Sequence, residues 1–164
     1  AITWLHQCRL VLKNYPIEGH PKSPLAAYQK DNMVKLFLFD VGLLNHMLNT
    51  GYKEIKQQGY EYKGYIAENF VQQELAALGI EPGYSWGDAR AEVEFIIANE
   101  KGLVVPIEVK SGKRTRAKSL QSYITKCEPH KTIKLTGTQG SSPQEQTHIV
   151  MPLYYAEYIF DRIN

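Results

Sequence analysis

The sequence predicts an α/β fold, a mixed sheet flanked by helices. Two observations carry that expectation. Residues 64–78 place Ala67, Val71, Leu75 and Leu78 on one apolar stripe at helical spacing, and Gly79 stops the run. Residues 91–97 and 104–110 read as apolar strands, and the segment Asn99-Glu100-Lys101-Gly102 between them has hairpin chemistry, because Asn and Gly tolerate the positive φ of such turns.

In chain order, residues 1–9 read as an amphipathic helix and 10–15 as a strand. A loop containing Pro, Gly and Ser follows over 16–24. Residues 35–39 form a second apolar strand ending at Asp40, which caps a short helix over 41–48. This order resembles the tail of a winged-helix unit, a DNA-binding element; a linker or docking element is the other reading. A polar stretch rich in Tyr, Lys and Gln over 51–62 then sets off the remainder. The organisation expected is therefore a partial winged-helix-like or linker segment at 1–50 and an α/β domain at 51–164. Within the latter, a strand at 83–86, a turn at Gly87-Asp88 and the hairpin follow the helix. Thr115 is placed to cap a helix reaching about Lys126, and strands at 132–135 and 148–151 precede a final helix over 153–162.

At 164 residues the chain is long enough to bury a proper core. Its 43% hydrophobic and 22% charged residues are ordinary for a globular protein, and eleven tyrosines are the clear excess. A net charge of +2 is too small to argue for nucleic acid from the global balance. No apolar run approaches the ~20 residues of a membrane span. Cys8 and Cys127 have no zinc-ligand spacing and read as reduced thiols of a cytoplasmic protein. The start inside a helix, without Met or a secretory leader, gives the expectation of a piece of a longer polypeptide.

The hairpin is the chemically unusual part. If Asn99 pairs with Leu103, Glu94 stands opposite Glu108, roughly 5 Å away on one face, where like charges repel. Lys110, two residues beyond Glu108, points to that face too. Two carboxylates and a lysine converging there read as a site for a divalent cation. The competing reading is a pair of edge strands with their charges in water, and a one-residue register shift would separate the two acids. Glu92 shares a face with Glu94 and is surplus to such a site. Glu68 flanks the buried stripe of the 64–78 helix, as an edge residue reaching water or as a further functional carboxylate.

Residues 110–118 carry five basic side chains and no acid: Lys110, Lys113, Arg114, Arg116 and Lys118. Several sit where a helix begins, which disfavours cations unless an anion such as a phosphate backbone comes there. A solvated basic turn is the alternative. The five histidines are scattered, and neither a Gly-x-Ser-x-Gly nor a phosphate-binding glycine loop occurs, so serine chemistry and an intrinsic nucleotide loop have no support.

The order helix–strand–strand–strand–helix–strand, with Glu68 in the helix, Glu94 in the second strand and Ile107-Glu108-Val109-Lys110 in the third, resembles the PD-(D/E)xK nuclease superfamily. The resemblance implies a restriction-endonuclease-like core. It also implies magnesium or manganese held by Glu94 and Glu108 with help from Glu68, and Lys110 polarising the attacking water or the phosphate. A closer similarity runs through residues 35–44, 64–71, 91–95 and 106–113. It points to the domain of unknown function at the C-terminus of prokaryotic, archaeal-like AAA-type ATPases. It implies an N-terminal ATPase module, which would bind the ATP, with DNA as the further partner and Lys113, Arg114, Arg116 and Lys118 as its contacts. The usual Glu-Val-Asp-Phe of that family stands here as Glu-Val-Glu-Phe at 92–95. The expectation is a metal-dependent DNA nuclease-like domain, or a non-catalytic DNA-binding or protein-docking domain of the same fold.

Overall fold

Eight strands form two four-stranded mixed sheets in a computed structural model that describes residues 1–30, 32–57, 59–89, 91–112, 117–138 and 147–164. The first sheet has the order β2-β1-β3-β4, built from β1 (Val11–Ile17), β2 (Lys35–Leu38), β3 (Gly83–Gly87) and β4 (Glu92–Val93). There β1 runs antiparallel to β2 and parallel to β3, and β3 antiparallel to β4. The second has the order β5-β6-β7-β8, from β5 (Phe95–Ala98), β6 (Val104–Lys110), β7 (Thr132–Thr136) and β8 (His148–Pro152). Its β5–β6 pair is antiparallel, and β6, β7 and β8 run parallel. Six α-helices accompany them among the described residues: α1 (Ile2–Gln7), α2 (Val41–Met47), α3 (Tyr52–Lys56), α4 (Lys63–Ala77), α5 (Lys118–Cys127) and α6 (Ile159–Ile163). None is long and apolar enough to cross a membrane.

The one mixed sheet expected is thus two sheets joined through one extended segment, and Glu94 is the residue between them. Val93 and Ile96 pack in one apolar cluster with Trp86 and Tyr123, whereas Phe95 packs in the other. Strict alternation would put Val93 and Phe95 on the same face. The phase therefore slips by one residue at Glu94, as at a β-bulge, which ends one ladder and re-aims the side chain.

The larger core lies between α4 and the second sheet. Ala67, Val71 and Leu75, the expected helical stripe, meet Phe95, Ile97, Val105, Ile107, Val109, Ile133 and Leu135. The smaller core lies on the opposite side, where Tyr123 of α5 meets Ile96, Val93 and the edge of Trp86. The two helices therefore cover opposite faces, and β6 turns Val105, Ile107 and Val109 toward α4 while Glu108 and Lys110 point away.

Segment 1–50 is joined to this arrangement by main-chain pairing, since β1 lies between β2 and β3. α4 is pinned across it. Asn69, almost wholly buried, accepts from the Leu38 N–H at 2.8 Å and donates to the Leu38 carbonyl at 3.0 Å, doing for β2 what another strand would do. Gln73 accepts from the Val41 N–H at 2.8 Å. Close approach is allowed by Gly83, where an added Cβ would stand 2.4 Å from the Gln72 side-chain oxygen.

Four local expectations are corrected. The helix after the basic run begins at Lys118 with Ala117 as its cap, and Thr115 lies outside the described residues. The polar stretch 51–62 contains α3, which starts where the Gly51 N–H donates to Glu54 at 2.9 Å. The last helix opens as a 3-10 turn, Leu153–Tyr158, before α6; in such a turn side chains at i and i+3 eclipse, and the rings of Tyr155 and Tyr158 lie 5.6 Å apart. In the hairpin, Gly102 takes the positive φ (75°), while Asn99 acts through its side-chain oxygen, which accepts from the Lys101 and Leu103 N–H groups. The expected register holds, with Asn99 bonded to Leu103 and Phe95 opposite Ile107.

Asn69→Ala removes both bonds to Leu38 and leaves two half-buried main-chain groups unpaired. It should destabilise the protein by about 1–3 kcal/mol, read as a lower urea midpoint at unchanged slope. A shift within error would mean that β2 is held by its pairing with β1 alone.

Candidate functional site

Lys110 sits at the end of β6, and its ammonium lies 3.3 Å from Glu94 Oε1 and 2.5 Å from Glu108 Oε1. The β-slip explains how Glu94 gets there. With the ladder broken, its Oε2 accepts from the Val109 N–H at 3.1 Å, a main-chain donor that a continuous strand would have used. Glu108 is fully buried, and neither of its oxygens accepts a hydrogen bond of normal geometry. Its partner is the Lys110 ammonium, close but poorly aligned.

Electrostatics follow from that crowding. Burial, then the Glu94 charge, pushes the Glu108 carboxyl up to about 7, with Lys110 acting against them. Burial pulls Lys110 down, but its close contact with Glu108 and the Glu94 and Glu108 charges outweigh this and leave it raised. Glu68, half-buried on α4, is also raised by burial and then by Glu94, opposed by Lys35 and Lys110. Lys35, first residue of β2, is lowered by burial against the pull of Glu68 and Glu94.

The structure therefore brings Glu94, Glu108 and Lys110 into contact, with Glu68 within electrostatic reach of Glu94 and Lys110. Glu92, the surplus acid, is ion-paired with Lys35. Lys118 is exposed in the first turn of α5, and Lys113, Arg114 and Arg116 lie outside the described residues.

Several contributors escaped the sequence reading. Lys35 is one; its signal was a cation opening an otherwise apolar strand. Asn14 and Gln72 are two more, fully buried and joined by one 3.2 Å bond, from Asn14 Nδ2 to Gln72 Oε1. Ser85, equally buried, is the fourth; the Trp86–Val93 pairing carried one step on sets it across from Glu94. Asn14 Oδ1, Gln72 Nε2 and Ser85 Oγ find no protein partner. Nothing in their spacing marked them, because a polar residue on a buried face is invisible until its neighbours are known.

Two carboxylates fit a hard divalent cation, since magnesium is commonly held by one or two carboxylates with substrate and water completing its shell. The unbonded Glu108 oxygens are donors of that kind. Among the described residues no three His, Cys, Asp or Glu side chains come together as a ligand set, so Glu68 stands outside the pair.

One family pattern matches residues 63–156, more than half of the chain and all four of Glu68, Glu94, Glu108 and Lys110. The chain belongs to the family DUF4143, a domain of unknown function. No curated protein and no solved structure matches. The DUF4143 match starts at the first residue of α4, so Lys35 and Asn14, on β2 and β1, lie before it.

Glu108 binds its proton more tightly folded than unfolded, so its contribution to stability is full below about pH 4.5 and is lost as pH rises through about 7. In chelator, the stability of Glu108→Gln relative to wild type should therefore rise between those values and level off above them. Urea midpoints at intervals of pH give the answer. A difference independent of pH would place the Glu108 proton elsewhere.

Proposed function

We propose that this domain is a metal-dependent DNA nuclease of the PD-(D/E)xK type, attached in the cytoplasm to an AAA-type ATPase module that would bind the ATP. One observation carries the reading. Two carboxylates, one of them buried with unbonded oxygens, converge on a single lysine at a strand break. An α/β core held together by apolar packing has no structural need for that arrangement, whereas phosphodiester hydrolysis uses each part.

Glu94 and Glu108 would hold magnesium or manganese, and Glu68 would act on them through its charge. Such an ion, when bound, lowers the pKa of a coordinated water and neutralises charge developing on the phosphate. Glu94 is oriented for this by the Val109 N–H, which fixes one oxygen and leaves the other facing Lys110. The Lys110 ammonium, already held at the mouth of the site, would turn to the phosphate oxygens and stabilise their charge. Lys113, Arg114, Arg116 and Lys118 would contact the DNA backbone outside the site.

A non-catalytic DNA-binding or docking domain of the same fold is the second reading. It is favoured by the way Lys110 engages both carboxylates internally, and by Glu at 94 where the resembled family has Asp.

Cutting of some DNA form, branched or single-stranded included, is expected with magnesium or manganese. Glu108→Ala and Lys110→Ala should each lower the rate by about 10²-fold or more while leaving binding nearly intact, since they act on the transition state. Glu94→Asp should slow cutting if the longer side chain is a well-placed ligand. Gel assays of the three variants beside wild type decide it, and absence of cutting with every DNA form would leave the non-catalytic reading.

A further inference from the structure

A cavity of about 810 Å³ opens between the ends of β1 and β3, the start of β4 and the residues leading into β2. Its size is within the roughly 300–1,000 Å³ of small-ligand sites. Three features tie it to the centre. Lys35 lines it and also stands within the fields of Glu68 and Glu94. Glu92, the ion-pair partner of Lys35, lines it as well. Ser85, fully buried, backs its wall and stands across from Glu94.

Much of the remaining wall is apolar, supplied by Ile17, Met33, Val34 and Ala91, with Trp86 behind it. Trp86 is itself immobilised: its indole N–H donates to the Gly19 carbonyl at 2.9 Å and its ring meets Tyr123 edge-on at 5.0 Å. An apolar slot with an ion pair at its rim suits a flat, uncharged heterocycle bearing polar edges. It does not suit a phosphate, because the acids Glu18, Asp88 and Glu92 also lie along it.

We infer that this cavity receives one unstacked nucleobase of the DNA strand whose phosphate lies at Glu94, Glu108 and Lys110. The inference rests on the nuclease reading of that centre and adds the substrate class. Because Lys35 serves both places, an occupant of the cavity would adjoin an occupant of the carboxylate site, and the neighbour of a phosphodiester is a nucleoside. A base inside a continuous duplex stack cannot enter a recess, so the site selects single-stranded, frayed or branched DNA over intact duplex. Lys35 bridges from the cavity rim to the adjoining phosphate.

The test uses intrinsic fluorescence. The chain has two tryptophans, so in Trp4→Phe the emission comes from Trp86 alone. In chelator, where nothing is cut, a short single-stranded oligonucleotide should change Trp86 emission and saturate, while a blunt duplex of the same sequence should not. Ala91→Phe, which fills the cavity from the β4 side, should weaken single-strand binding by about tenfold or more, the loss of one base contact, and leave duplex binding unchanged. Val34→Tyr, at a more exposed wall position, repeats the test if the first variant folds poorly. Equal binding of both DNA forms, an unresponsive Trp86, or indifference to both filling variants each overturns the inference. Magnesium-dependent cutting by wild type without a Trp86 response would overturn the cavity assignment and keep the nuclease. A saturating response with no cutting under any metal would keep the cavity as a single-strand site and remove the nuclease.

Discussion

Two carboxylates share a corner of this protein only because an ammonium stands between them. Lys110 reaches both Glu94 and Glu108, and the chain around it is arranged so that the contact is forced. β6 is packed through Val105, Ile107 and Val109 against α4, which fixes the opposite-facing Glu108 in the interior. Glu94 is brought in by the slip between β4 and β5, and the Val109 N–H keeps it there. Removing Lys110 would leave both carboxylates without their counter-ion, one of the most expensive arrangements an interior can hold.

A second layer of polar contacts sets where α4 lies and hence where Glu68 lies. Asn69 stitches the helix to Leu38, Gln73 to Val41, and Gln72 to Asn14 over Gly83. These amides lie within one turn on the same side of the helix, and their directional bonds fix α4 in rotation as well as in position. The apolar stripe alone would fix its rotation less closely, because Leu and Val tolerate some rolling where hydrogen bonds do not.

Much of this could be read from sequence. The helix 64–78 and the hairpin were visible because each has a strong period, and the register followed from the turn, since the loop from Asn99 to Leu103 leaves little choice of pairing. The convergence of Glu94, Glu108 and Lys110 came with that register. The division into two sheets was not visible, because a one-residue slip is invisible in a segment whose residues on either side, Val93 and Phe95, are equally apolar. Lys35, Asn14 and Ser85 were hidden for a different reason. They come to the site by pairing between β1, β2 and β3, segments separated by up to about seventy residues, and no local pattern encodes such a pairing.

The parallel pairing of β1 with β3 bears on how this unit is divided and moved. The matched family segment starts at residue 63, yet β3 receives its neighbour from residues 14–17, and β2 lies beyond that. A piece cut at the start of α4 would present β3 as a raw edge, with Tyr84 and Trp86 uncovered and its main-chain groups open to any passing strand. Such a fragment would be expected to self-associate or to borrow β1 from a second molecule. The heritable and transplantable unit is therefore larger than the stretch that pattern matching recognises, and an experimenter trimming this protein to its recognisable part would be handling an aggregate.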